Sequence, residues 1–495
     1  MMKRFFILWV SIVFLLGISP SVSALEIVYP QKNPYYTNAK ETFIVGNVDK
    51  KSKLFVNNNP LKVWKNGMFC FVPTLSDGQN KFVFVEKKKN KSFSKEILVM
   101  KNLPKQYKSS ANTKKIQQVN YEKIVSAFIV KNNVPIRNQP SDNAKRITHL
   151  PMNTNLFIQS EYGNWYKLFS YDSKEPMWIN KSHVSILSFI DEIPLADISD
   201  IDFYQDDKFC FLKFFIDFQN PYKIVENENS LDLTFYNVNS IEDLKPALKK
   251  QNVFDEIYIK SFENNNLTLT IKQNSKLWGY DAEYYGNSFV LKLRKTPIID
   301  KKHPLKGLTI AVDAGHGGEE KGALGCAGID EKTINLQISL KLKKILEKHG
   351  AEVIMTREKD EYVEIYRRPE IAKINNAIIC LSIHANSMLD GNPYKKHGTS
   401  VFYYNEQAKG LATIINNRMV NDLRLRDDGT NYASLVLTRP TLPISVLIET
   451  AYMPNPYEYS KLTNSKFQNR IAKSIAKGLG EYLLEDMKNI KKKSL

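Results

Sequence analysis

The chain has 495 residues, 43% of them hydrophobic, which is too long for one ordinary core and apolar enough for several folded domains. Lys and Arg number 70 against 52 Asp and Glu, a formal charge of +18 that in a cytosolic chain would suggest nucleic acid. The four cysteines, Cys70, Cys210, Cys326 and Cys380, are scattered without the spacing of a metal knot or a small disulfide scaffold, so no disulfide framework is expected.

Residues 1–24, MMKRFFILWVSIVFLLGISPSVSA, set Lys3 and Arg4 before a short apolar core and end in the small-residue pattern Val22-Ser23-Ala24. They read as a secretory signal removed after Ala24, with an uncleaved anchor as the alternative. No later run is long enough to span a bilayer. Export to the periplasm, the cell wall or the exterior removes nucleic acid as a partner. The anionic partners on offer there are wall polymers, acidic glycans and lipid head groups. A solvated basic surface that only aids solubility is the other reading, and the basic tail 489–495 fits either.

Residues 25–100 alternate apolar and polar residues in bursts such as FIVGNV, MFCFVP and NKFVFVEK, separated by Asn, Gly, Pro and Asp, the pattern of a small Ig-like β-sandwich. Residues 101–122 lose that period and read as a linker. Residues 123–190 carry Val134-Pro135-Ile136-Arg137, the Gly163-Asn164-Trp165-Tyr166 turn and strand, and Trp178-Ile179. These pieces resemble bacterial SH3-like barrels, with Trp165 read as core rather than as a ligand platform. Residues 191–300 form a third β-rich region through FCFLKFFIDF, LTLTIK and FVLKLR, to serve for targeting or as a spacer.

From Lys306 the pattern changes. LTIAVD, AEVIMT, AIICLSIHAN, TSVFYY and SVLIET alternate with helical segments, so residues 305–488 are expected to form an α/β domain around a mostly parallel twisted sheet. In such sheets chemistry collects at the carboxyl ends of the strands. His316 follows LTIAVD across Ala314-Gly315, His384 ends CLSIH and Glu449 ends SVLIE, so all three should face one crevice. Glu331 opens the long helix after Asp330. Singly, each histidine reads as a structural imidazole, and Glu331 as a first-turn carboxylate favoured by the helix dipole.

Together the four groups match another inventory. Two imidazoles and one carboxylate make the three-ligand set of catalytic zinc, and a second carboxylate supplies acid–base chemistry. Gly315, Gly317 and Gly318 would allow close backbone approach. A phosphate loop fits poorly, because AGHGG lacks the GxGxxG spacing and the GK[ST] ending.

DAGHGG (313–318), GIDEKTINL (328–336), VIMTRE (353–358), the Arg368-to-Ala372 spacing, LSIHAN (381–386), GTSVFYY (398–404), LVLTR (435–439) and LIETAYMPNP (447–456) follow in order. Over residues 307–488 they resemble the zinc-dependent N-acetylmuramoyl-L-alanine amidases of cell-wall hydrolysis. The resemblance implies Zn2+ bound by His316, Glu331 and His384, Glu449 as the catalytic carboxylate, and peptidoglycan as substrate. It gives Arg357 and Asn386 supporting roles; His397 has no counterpart and reads as a surface-loop histidine. Separately, the third β-rich region resembles modules that target some exported amidases to envelope polymers, with a plain spacer domain as the alternative. Glu319-Glu320 and Ala451-Tyr452 depart from the family's usual residues, which puts contacts at the substrate edge in doubt. Some relatives plug the site with a helix after SIHAN; SMLDGNPYKKH is too short for one. A non-catalytic wall-binding protein with a degenerate hydrolase domain would have lost one of the four groups. An exported zinc peptidase or deacetylase is the other enzymatic reading, but the chain has no HExxH and no pair of histidines at i, i+4.

Overall fold

The computed structural model describes residues 25–102, 117–169, 175–242 and 244–493. The signal read in residues 1–24 lies outside them, as do residues 103–116 of the expected linker. That linker is shorter than its composition suggests, because strand backbone runs to Lys101 and resumes at Val119. There Val119, Asn120, Val125 and Ala127 pair with Glu161, Ser160, Ile158 and Leu156.

The described residues form two compact units: residues 25–102 with 326–328 and 389–392, and the remainder. In the first, a three-stranded sheet (Glu26–Tyr29, Ile44–Asn47, Met68–Phe71) and a five-stranded sheet share one core. Alternation in NKFVFVEK accounts for it, since Phe82 and Phe84 are buried and Val83 and Val85 are only partly so.

The second unit begins with a seven-stranded antiparallel sheet in the order Arg146–Leu150, Val134–Arg137, Trp178–Asn180, Trp165–Leu168, Asn155–Tyr162, Val119–Ile129, Val184–Ile190. Trp165 is 8% exposed and belongs to the interior. Two four-stranded antiparallel sheets follow, between Ile198 and Arg294. Their apolar faces and that of the seven-stranded sheet merge into one contiguous core. At its centre Phe289 meets Tyr222, Phe235 and Tyr284 with ring centroids at 4.7, 4.8 and 5.2 Å, all edge-on, the arrangement that the ring quadrupoles favour.

The C-terminal part of this unit alternates strands and helices: β1 (Thr309–Ala314), α1 (Glu331–Lys348), β2 (Glu352–Met355), α2 (Arg367–Ile374), β3 (Ile379–Asn386), β4 (Thr399–Tyr403), α3 (Glu406–Leu423), β5 (Asp427–Tyr432), β6 (Ile444–Tyr452), α4 (Pro456–Leu462) and α5 (Ser465–Lys493). The sheet order is β2-β1-β3-β6-β4-β5, parallel except that β4 runs antiparallel to β6. The β3 run ICLSI is buried throughout, as expected of a central strand covered on both faces. Helix α1 packs on the sheet through Ile334, Ile338, Leu342 and Leu346, one helical stripe. The basic residues 489–493 continue α5.

All four cysteines are buried. No helix among the described residues is long and apolar enough to cross a membrane.

Arg294, at the end of the last β-region strand and 4% exposed, donates Nη2 to the carbonyls of Asn376 and Ala377 at 3.2 and 3.1 Å, just before β3. The β-rich core and the α/β sheet are thereby joined. Phe289→Ala should cost about 3–5 kcal/mol, measured as a lowered denaturant midpoint for the transition that reports the β-rich core.

Candidate metal centre

The carboxyl ends of β1, β3 and β6 lie side by side, because Ala314 pairs with Ile383 and His384 with Glu449 in the parallel ladders. His316 stands two residues past β1, His384 and Glu449 lie on β3 and β6, and Glu331 starts α1. The structure brings His316, Glu331 and His384 together: their ligand atoms lie within 4.8 Å of one another. His316 Nε2 is 3.2 Å from Glu331 Oε2, and His384 Nδ1 is 3.0 Å from Glu331 Oε1.

The loop after β1 turns sharply. His316, Gly317 and Gly318 have φ of 59°, 139° and 57°, a run of left-handed backbone that is strained at the histidine. This turn leaves inward carbonyls without ladder partners, and two buried arginines supply donors. Arg357 donates Nε to Ala314 O at 2.8 Å and Nη2 to Gly315 O at 2.9 Å and Lys332 O at 2.8 Å. Arg368 donates Nη1 to Ala314 O at 2.9 Å and Nη2 to His316 O at 2.9 Å, and its Nη1 also meets Asp313 Oδ1 at 2.8 Å.

Asp313 is fully buried and also accepts from Thr356 and Ser382, each at 2.6 Å. Burial alone would push its carboxyl up, but Arg368 and these hydroxyls hold it below the ordinary carboxylate range.

Glycine is required at two points around the ligands. A Cβ on Gly315 would lie 2.3 Å from His384 Nε2, and one on Gly322 would lie 2.5 Å from Glu331 Oε2 and 2.6 Å from His316 Cδ2. Beyond the imidazoles, Glu331 accepts from Ala323 N at 2.9 Å, Asn335 Nδ2 at 3.0 Å and Ala385 N at 3.1 Å. Burial pushes its carboxyl up, yet hydrogen bonds and charge from His316 and His384 hold it well below its usual value. Burial pushes the His384 imidazole down, but the bond and charge of Glu331 outweigh it and raise the group to about 9. Two imidazoles fixed about one ionised carboxylate, with no room for another side chain between them, are a donor set suited to a transition-metal ion.

Glu449 stands beside this set with a different environment. Its Oε2 is buried and has no hydrogen-bond partner among the described residues. Burial pushes its carboxyl up to about 7, with His384 pulling it down and Glu331 adding to the rise. A carboxyl poised there can both take and return a proton.

The supporting residues differ from the sequence expectation in part. Arg357 is a scaffold for the loop, whereas Asn386 Oδ1 accepts from Ser387 N at 2.8 Å, a local turn bond. His397 is not a plain surface histidine: its Nδ1 lies 2.8 Å from Oε1 of Glu458, which is 1% exposed and also accepts from Tyr452 N at 2.8 Å. A carboxylate buried there needs such partners, and His397 is one. Asp313, Asn335 and Glu458 were missed from sequence. Asn335 was legible in principle, standing four residues after Glu331 and so on the same helix face. Residues 387–398 contain turns and no helix.

A family profile described as N-acetylmuramoyl-L-alanine amidase matches residues 310–481. Among curated proteins the chain is similar to the uncharacterized protein YqiI of Bacillus subtilis, 32% identical over 39% of this chain and 93% of that protein. It is also similar to the germination-specific N-acetylmuramoyl-L-alanine amidase of the same organism, 30% identical over 37% of this chain and 82% of the relative. Among solved structures, N-acetylmuramoyl-L-alanine amidase AmiC2 of Nostoc punctiforme is 35% identical, covering 38% of this chain and 99% of that one, with a TM-score of 0.34.

Asp313→Ala would leave Arg368 as a buried, uncompensated charge and should cost about 3–5 kcal/mol. Because the folded pKa of Asp313 is depressed, its contribution is complete above the unfolded value, about 4, and disappears as pH falls through the folded one. Denaturant midpoints of wild type and variant, measured from neutral pH downward, should therefore converge only below that value.

Proposed function

The chain belongs to the N-acetylmuramoyl-L-alanine amidase family, and from that we propose that it is an exported peptidoglycan hydrolase. It cuts the amide joining the lactyl group of N-acetylmuramic acid to the L-alanine of the stem peptide. The observation that carries the reading is the cluster of His316, Glu331 and His384 within 4.8 Å, with the unpartnered Glu449 carboxylate oxygen on the neighbouring strand. A degenerate, purely wall-binding domain would have no reason to keep all four.

In this reading His316, Glu331 and His384 hold Zn2+. When bound, zinc lowers the pKa of water to about 7 and polarises a carbonyl oxygen. Glu449 takes the proton of the attacking water and passes it to the leaving nitrogen, so that the amine departs neutral. Asn335, Ala323 N and Ala385 N hold the Glu331 carboxylate in one orientation, leaving its charge directed at the two imidazoles. The loop strained at His316 is kept in place by Arg357 and Arg368 and does not have to reorganise during the reaction.

Export rests on the residue 1–24 pattern and accords with relatives named as probable cell wall amidases. Location in the periplasm or the cell wall follows from it, as does access to anionic envelope polymers through the basic surface.

Two substitutions test the assignment. Glu449→Ala should keep its zinc and lower hydrolysis of purified sacculi by orders of magnitude; full activity would remove Glu449 from its role. His316→Ala should lose zinc by elemental analysis, and an unchanged metal content would sink the ligand set.

A further inference from the structure

A second cluster of charged side chains lies elsewhere in the second unit. Arg137 ends the strand Val134–Arg137, Arg146 opens the paired strand Arg146–Leu150, and Arg439 stands in the loop between β5 and β6. Arg146 Nη1 is 3.0 Å from His149 Nε2. A guanidinium can only donate, so Nε2 accepts and the imidazole proton sits on Nδ1. The His149 ring stands edge-on to Tyr404 at 6.3 Å, Tyr404 stacks on Tyr432 at 5.4 Å, and Arg439 lies near enough to Tyr366 and Tyr404 to feel both. Tyr366 and Tyr432 are 65% and 61% exposed, so the cluster opens to solvent.

The cations have almost nothing to balance them. Among the described residues none of the three arginines forms an ion pair with a carboxylate; Asp142, whose charge reaches Arg137, is exposed. Arg137 is 6% exposed, donates Nη1 to Ala144 O at 2.8 Å, and keeps a buried Nε with no partner. Arg137 and Arg439 are each pushed down by burial and then by the charge of Arg146. Burial, followed by Arg146, Arg439 and Arg137, depresses His149 to about 3, which keeps it neutral. Like charges gathered in a partly dry site, with donors to spare, call for an anion.

We propose that Arg137, Arg146, His149 and Arg439 form a binding site for a phosphate group. Three guanidinium forks and an imidazole N–H offer more donors than the two oxygens of a carboxylate can use, and a tetrahedral phosphate takes them from several sides. None of the four residues is among those gathered at the metal centre. Ser400, near the start of β4, pairs with Glu449, and β4 then runs away from it, so Tyr404 lies four residues on, roughly 13 Å at strand spacing. The source of the phosphate is either a phosphate-bearing polymer attached to the wall, which would retain the protein on its substrate, or free phosphate.

The test is calorimetric titration of the full chain with inorganic phosphate at ionic strength held constant with chloride, for wild type and for the R146Q/R439Q double variant. Saturable binding by wild type, weakened at least tenfold in the double variant, is the expected result. No binding by wild type, or equal binding by both, would overturn the proposal. Circular dichroism checks that the double variant is folded. If it is not, Arg146→Lys decides, since loss of the planar fork should still weaken binding severalfold and unchanged affinity counts against the site. Co-sedimentation with sacculi before and after extraction of phosphate polymers separates the sources: retention that falls on extraction assigns polymer phosphate, and retention that does not change assigns free phosphate.

Discussion

The constraint on which the site depends is the need to satisfy a buried, left-handed loop. His316, Gly317 and Gly318 all have positive φ, which turns the carbonyls of Ala314, Gly315 and His316 away from any strand partner. Unpaired buried carbonyls would each cost on the order of 1–3 kcal/mol. Arg357 and Arg368 supply the donors, and Asp313 balances the charge of Arg368 from the end of the same strand. With the loop held, His316 meets Glu331 at the start of α1, and the parallel register brings His384 and Glu449 alongside. A buried charge pair adds little net stability by itself, but here it holds one loop conformation.

Much of this arrangement was legible in the chain. Polar residues ending buried apolar runs identify the crevice, since a side chain at the carboxyl end of a parallel strand has few other places to point. His316, His384 and Glu449 could be read that way, Glu331 only as a carboxylate opening a helix, and the mostly parallel sheet was legible from the alternation of strands and helices. The scaffold was less visible. Asp313 reads as part of a strand, and nothing local shows that Arg368, 55 residues later, will reach it. His397 and Glu458 are similarly distant, and only the fold reveals that a buried carboxylate needs that histidine. Long-range pairs of this kind leave no periodic trace, whereas helix faces and strand alternation do.

The β-rich regions show the same limit from another side. Composition suggests separate small modules, but the apolar residues from Val125 to Leu293 pack into one continuous core, and Arg294 ties its last strand to the turn before β3. The arginine cluster is built across such a junction. Arg137 and Arg146 come from the seven-stranded sheet and Arg439 from the α/β region, so nothing local in the sequence shows that they meet. A basic chain of this size carries many solvated lysines, whereas Arg137 and Arg439 are buried enough to be pushed down, and among the described residues neither forms an ion pair with a carboxylate.

An amidase of this family is defined by the bond that it cuts. Mass spectrometry of purified sacculi digested with the full chain should reveal free stem peptides beginning at L-alanine, together with glycan strands stripped of peptide. Disaccharide peptides still carrying their L-alanine linkage, or peptides cut within the stem, would contradict it.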